Sequence, residues 1–369
     1  MEKTMLDYIK ESPGIELDII DNSSDYTGEL ADFCLNDKGL CFIASGSSYN
    51  ACLCAKYFMQ HVLGMEIRLV TPFTFLNHDM EYLKDMNFIG VSQSGCSTNT
   101  LNALQALKDR GIRTACLTGR KDCDASDIVD LLVDWHAGEE KIGFVTKGVS
   151  TLTCFLMCFA VELALKKSII GQDEYTKFKD KLRQAVNLQP EMMDNTIKVF
   201  NEHRDDFISP RRVIILSSGP NLGTATEGAL KMSETSCITA MACEAEEFLH
   251  GPLYPSTPDD LIILIDNNKD ACSERIIDIA NALKDITDKV YLISNTDRFD
   301  GSHCFSTSDQ TCSCRSPLYR LTCLQTLSYL MTEATNRYEP HEAVKAFKKA
   351  NKVASKSRSN LYLNLQKID

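Results

Sequence analysis

Two groups of residues combine types and spacing suited to chemistry. The first is Val91-Ser-Gln-Ser-Gly-Cys-Ser-Thr-Asn-Thr100, dense in hydroxyls and placed between an apolar run and a helical pattern. Gly95 permits a close backbone turn, and the first amides of a following helix lack intrahelical acceptors. With neutral donors from Ser92, Ser94 and Ser97, the segment suits a phosphate monoester. It lacks both the lysine of a GxxxxGK[ST] loop and the GxGxxG spacing, so neither a nucleoside triphosphate nor a dinucleotide is expected. The same composition also suits a plain Ser/Thr helix cap, and spacing alone leaves both readings open.

The second group is Glu227-Gly-Ala-Leu-Lys231-Met-Ser-Glu234, followed by Glu244-Ala-Glu-Glu-Phe-Leu-His250-Gly-Pro252. On a helix Glu227, Lys231 and Glu234 share one face. Glu227 with Lys231 reads either as an exposed ion pair or as part of a site. Glu234 precedes a weakly polar and apolar stretch, where a carboxylate is expected to lose solvent and gain basicity as a general base. His250, just before the Gly-Pro that ends a helix, is placed at a loop edge to shuttle protons, or else to cap and pack. Glu247 is the alternative base.

These groups must be positioned by a repeating framework. Short apolar runs at residues 39–46, 66–70, 87–92 and 113–117 alternate with helical patterns at 47–62, 98–110 and about 147–167, which predicts parallel strands covered on both faces. Residues 172–207 are charged and helical in pattern, a linker of one or two helices, and a second alternating block starts at Arg211. The blocks repeat at a fixed offset: Cys41 to Gly46 falls on Ile214 to Gly219, and Phe75-Leu76 on Phe248-Leu249. The copies diverge where chemistry would differ. Asn77 stands where the second copy has His250, Thr74 where it has Glu247, and the strand ending in Ser92 to Gly95 corresponds to one ending near Asp266-Asn267. One copy is equipped to hold an anion and the other to move protons. The fold class is α/β, two tandem parallel-sheet three-layer sandwiches with a helical C-terminal tail. The expected division is a helical segment 1–24, a phosphate-binding domain 25–180, a linker 181–207, a catalytic domain 208–345 and a tail 346–369 that closes the site.

The length of 369 residues supports two domains, and 44% hydrophobic with 24% charged residues is the balance of a water-soluble globular protein. A net charge of −12 without a basic cluster excludes nucleic acid and anionic lipid as expected partners, so an anionic ligand must be held by local donors. Sixteen cysteines scattered through apolar stretches, with no CxxC pairing and no signal peptide, point to reduced thiols in a cytoplasmic protein without metal or cofactor. The longest apolar stretch, residues 152–165, contains Glu162 and reads as a buried helix, so no membrane partner is expected.

The ordered segments SGSSYNA (45–51), SQSG (92–95), VTKG (145–148), EGALKMSE (227–234) and EEFLHGP (246–252) resemble the sugar isomerase (SIS) domain phosphosugar enzymes, including the isomerase half of glucosamine-6-phosphate synthase and the fructosamine-6-phosphate deglycases. The likeness covers nearly the whole chain and implies flavodoxin-like SIS domains. By that resemblance Ser92, Gln93, Ser94 and Ser97 would hold the phosphate, with Ser48, Val145 and Glu227 completing the substrate-binding set. Glu234 would be the base between the first two carbons, Lys231 would attend the carbonyl or imine carbon, and His250 would open the sugar ring from a neighbouring subunit, which implies a homodimer. Lys356 would be the C-terminal lysine that closes the site.

Departures from the family pattern are Cys96 in place of Glu, Val145 in place of Ser, and Asn221-Leu222 in the second-copy turn. About 38 residues precede the first strand, and Cys34 is the first cysteine, so glutamine-dependent transfer is not expected. The expected activity is isomerisation, deamination or deglycation of an amino- or amine-conjugated hexose 6-phosphate. The alternative is a non-catalytic sugar-phosphate sensor.

Overall fold

The computed structural model describes residues 3–36, 38–141, 144–267, 270–337 and 339–349. Two helices, α1 (Met5–Asp21) and α2 (Ser23–Phe33), precede the first strand. Thr4 and Asp7 cap α1 reciprocally: Asp7 N donates to Thr4 Oγ1 at 3.3 Å and Thr4 N to Asp7 Oδ2 at 2.8 Å. The first copy then runs β1 (Gly39–Ala44), α3 (Gly46–Leu63), β2 (Ile67–Val70), α4 (Pro72–Thr74), β3 (Met86–Val91), α5 (Thr98–Asp109), β4 (Thr114–Thr118) and β5 (Leu131–Asp134). A π-helical turn, Phe75–Asp79, continues α4.

The long α6 (Lys147–Lys166) leads through α7 (Gln172–Asn187), α8 (Gln189–Glu202) and α9 (Arg204–Ile208), so the linker holds three helices rather than the one or two expected. The second copy is β6 (Val213–Ser217), α10 (Leu222–Thr235), β7 (Ala240–Glu244), α11 (Ala245–Leu249), β8 (Leu261–Ile265), α12 (Ser273–Leu283), β9 (Val290–Ile293) and β10 (Cys304–Phe305). Helices α13 (Pro317–Thr335) and α14 (Glu342–Lys349) follow. Lys356 lies outside the described residues.

Both sheets are parallel and share one topology, β2-β1-β3-β4-β5 in the first and β7-β6-β8-β9-β10, read from the other edge, in the second. The repeat is therefore structural as well as sequential. Phe75 and Phe248, equivalent by the sequence offset, are both fully buried. The inner strands alternate between two apolar faces, as burial on both sides demands. Leu40, Phe42 and Ala44 of β1 enter the main core while Cys41 and Ile43 pack against α5 residues such as Leu107; Val213 and Ile215 of β6 enter that same main core while Ile214 and Leu216 pack beneath α12.

The main core is continuous between the copies and is centred on α6, which is buried from Lys147 through Ala164. That helix is long and apolar enough to cross a membrane by length and composition, but it is enclosed by protein on all sides. The equivalent helices α3 and α10 pack directly on each other. A Cβ at Gly223 would lie 2.6 Å from Cys54 N and 3.0 Å from Asn50 O, so only glycine admits this approach.

Candidate active site

The strand order makes the gap between β1 and β3 a switch point, where a parallel sheet opens a crevice at its carboxyl edge. Ala44 pairs with Val91 at that edge, so the turns after β1 and β3 are neighbours. Ser45 to Ser48 opens α3 from one side and Ser92 to Ser97 opens α5 from the other. Gly95 has a φ of 63°, and a Cβ there would meet Cys123 Sγ at 2.2 Å. Backbone bonds from Gly119 N to Gln93 O (3.0 Å) and Ala125 N to Gly95 O (3.1 Å) pin the loop.

Within the loop, Ser97 N donates to Ser92 Oγ at 3.4 Å and Cys96 N to Ser94 Oγ at 3.2 Å. These hydroxyls accept from the loop's own amides, which leaves their protons to be given outward. Ser97 occupies the N-cap position of α5 but its side chain makes no capping bond, contrary to what a simple Ser/Thr cap requires. The loop thus carries hydroxyl and amide donors suited to an anion.

Gln93 turns toward α6, where its Nε2 donates to Glu140 Oε2 at 3.1 Å. Glu140 also accepts from Thr146 N at 2.7 Å, Lys147 N at 3.1 Å and Gly148 N at 3.3 Å, so a carboxylate answers the open amides of α6. Sequence reasoning missed Glu140, which sits in a charged run, Glu139-Glu140-Lys141, that reads as an exposed loop. Val145 is half-buried and packs against the main core.

On α10 the chain of charges runs inward. Lys231 Nζ lies 2.5 Å from Glu234 Oε2 and 3.6 Å from Glu227 Oε1. The ammonium is 1% exposed and Glu227 0%, so the exposed ion pair open to sequence reasoning is instead a buried one. The first copy completes it: Ser47 Oγ donates to Glu227 Oε1 at 3.0 Å and Asn50 Nδ2 to Glu227 Oε2 at 2.8 Å. Burial pushes the Glu227 carboxyl above its ordinary range, while Lys231 and these two donors pull it back. Ser48 adjoins this anchor at the start of α3 and is half-buried.

Glu234 does not lose its solvent as the apolar stretch after it suggested, because its side chain is 38% exposed. The α10 helix turns that stretch away and offers Glu234 outward, where Lys231 holds it. The desolvated carboxyl is Glu227, and neither Ser47 nor Asn50 could be matched to it from a sequence in which they lie about 180 residues apart.

His250 terminates α11 at an exposed position, its N–H donating to Glu247 O at 3.1 Å. Among the described residues no hydrogen bond or ion pair joins it to Glu234 or Lys231 of its own chain. Glu247 N donates to Glu244 Oε2 at 2.9 Å, which makes Glu244 the cap of α11.

The equivalent crevice of the second copy is filled by its own side chains. Asn221 Nδ2 donates to Asn267 Oδ1 and to Ser316 Oγ, both at 2.8 Å, and Asn267 Nδ2 donates to Ser218 Oγ at 2.9 Å. Asp266 beside them accepts from Ser294 Oγ at 2.6 Å, adding a negative charge where the first copy has neutral serines.

Known proteins share this fold. The family model described as "SIS domain" matches residues 35–166 and 206–298. The glutamine--fructose-6-phosphate aminotransferase [isomerizing] of Thermococcus kodakarensis is 30% identical over 254 residues, covering 68% of this chain and 41% of that protein, so the chain spans about two fifths of this relative. A candidate phosphosugar isomerase from Clostridium difficile 630 superposes with a TM-score of 0.85 at 23% identity, covering 96% of this chain and 99% of its own. The C-terminal domain of glucosamine-fructose-6-phosphate aminotransferase from Francisella tularensis does so with a TM-score of 0.81 at 23% identity, covering 92% and 99%. With two matched segments falling on two copies of one sheet, the chain belongs to the SIS domain family.

Proposed function

We propose that this chain moves a proton between C1 and C2 of an amino- or amine-conjugated hexose 6-phosphate, as an isomerase, deaminase or deglycase, and that it works as a homodimer. The observation that carries this is the buried ammonium of Lys231 held between Glu227 and Glu234. A cation shielded from water stabilises negative charge developing on a sugar oxygen far better than an exposed one. Glu234, held by that ammonium yet open to solvent, is the group that reaches both carbons. Ser92, Ser94 and Ser97 with the α5 amides take the phosphate, Gln93 is oriented by Glu140, and Ser48 and the Val145 backbone border the sugar. His250 opens the ring from the neighbouring subunit. Its exposure, with Tyr254 nearby at 87% exposed, suits a surface that a second copy covers.

The test is deuterium exchange at the carbon next to the carbonyl, followed by NMR with fructose 6-phosphate and glucosamine 6-phosphate in D2O. Wild type exchanges, whereas Glu234→Gln binds with unchanged affinity and exchanges about 10²- to 10⁴-fold more slowly. Exchange at the wild-type rate in the variant would make Glu234 structural. Tight binding by wild type with no exchange would assign the chain to the sensors.

A further inference from the structure

A second cluster of chemically capable side chains lies at the opposite edge of the second sheet. His203 stands between α8 and α9, Asp206 is on α9, and His303 immediately precedes β10, at the amino end of that strand. One potential ligand atom from each lies within 4.8 Å of the others, and all three residues are half-buried. The two imidazoles have centroids 4.4 Å apart at 42°, and Tyr291 of β9 packs on both.

Asp206 and His303 are each held by a partner that leaves one donor atom over. Asp206 accepts from the Tyr291 hydroxyl through Oδ2 at 2.7 Å, leaving Oδ1. The Nδ1 of His303 faces Asp300 Oδ2 at 3.2 Å and Ser302 Oγ at 3.0 Å, leaving Nε2 as its lone-pair donor. A carboxylate behind a histidine is the outer-sphere arrangement that fixes a metal-binding imidazole.

We propose that His203, Asp206 and His303 bind a zinc ion that pins the helical linker to the edge of the second sheet. Two nitrogens and one carboxylate oxygen suit Zn²⁺ and not Mg²⁺ or Ca²⁺, which take oxygen ligands. Bonds of about 2.0–2.1 Å around a tetrahedral centre put ligand atoms about 3.3 Å apart, so small side-chain rotations close the present spacing. A water molecule takes the fourth position. The site draws on none of the sixteen cysteines, including the neighbouring Cys304, which explains why a search for cysteine frames passes it by.

The test titrates the purified metal-free chain, its thiols kept reduced, with Co²⁺ while visible absorption is recorded. Thermal unfolding is followed in parallel with and without Zn²⁺. The expected result is one equivalent of Co²⁺ with a ligand-field spectrum free of thiolate charge transfer, together with a Tm raised by Zn²⁺. His303→Ala and His203→Ala lose both effects. Asp206→Asn, which keeps an acceptor for Tyr291, binds at least about tenfold more weakly and guards against variants that fail to fold. Absence of binding by wild type, a thiolate charge-transfer band that persists in the histidine variants, or an equal Tm shift in wild type and all variants would overturn the proposal.

Discussion

Glu16 of α1 is fully buried, and among the described residues its side chain has one partner, Gln189 of α8, whose Nε2 donates to Glu16 Oε2 at 2.7 Å. Among the described residues the other oxygens of both groups, Glu16 Oε1 and Gln189 Oε1, have no partner. A proton on the carboxyl removes its charge from the buried site and gives it a hydrogen-bond donor. Burial pushes this carboxyl from 4.5 up to about 8, against the opposing pull of the Gln189 bond. Between those values the folded chain keeps a proton that the unfolded chain has released. Stability is therefore complete below about pH 4.5 and falls as pH rises toward 8.

At about 1.4 kcal/mol per tenfold step in proton affinity, the loss reaches at most about 5 kcal/mol, against a total stability of roughly 5–15 kcal/mol. Glu16→Gln stays neutral at every pH and keeps an acceptor for Gln189 Nε2. The assay is urea unfolding of both proteins from pH 5 to pH 9, reading the difference in unfolding free energy so that contributions common to both cancel. The variant should gain on wild type up to about pH 8 and level off above it, by several kcal/mol in all. A difference that stays flat to within about 0.5 kcal/mol would refute the reasoning and show that Glu16 is ionised in the folded chain.

Two further outcomes follow from the active-site geometry. Gly95→Ala drives a methyl group into Cys123 in a left-handed backbone conformation, and it should abolish phosphate-dependent binding by calorimetry while costing about 1–3 kcal/mol in urea unfolding. Lys231→Met leaves the buried Glu227 without its cation and should lower the unfolding free energy by about 3–5 kcal/mol, with Glu227→Gln added to it restoring part of the loss.

The layered architecture was legible because strands buried on both faces are written as short apolar runs, as in Leu40 to Ala44 and Val213 to Leu216. β5 was not recognised: Leu131–Asp134 is half-exposed at a sheet edge and flanked by acidic residues, so its apolar run is too short to stand out. The turn of Ser92 to Ser97 between a strand and a helix was legible because all its parts are contiguous. The surroundings of Glu227 were not, because burial there is created by α3 of the other copy, and local periodicity says nothing about which distant helix covers a face. The same limit hid Glu140, and it kept His203 and His303 apart in any reading along the chain.

The contact between α3 and α10 obeys a reciprocal rule. By the offset that maps Cys41 on Ile214, Asn50 corresponds to Gly223 and Cys54 to Glu227. Asn50 bonds Glu227, and Gly223 presses against Cys54, so the same pair of positions meets twice with the roles exchanged. That is the signature of an isologous interface between identical chains, here joined into one polypeptide by the linker. Two copies in one polypeptide need not match each other. One half holds a carboxylate and the other a thiol at equivalent positions, an asymmetry that a true homodimer cannot encode.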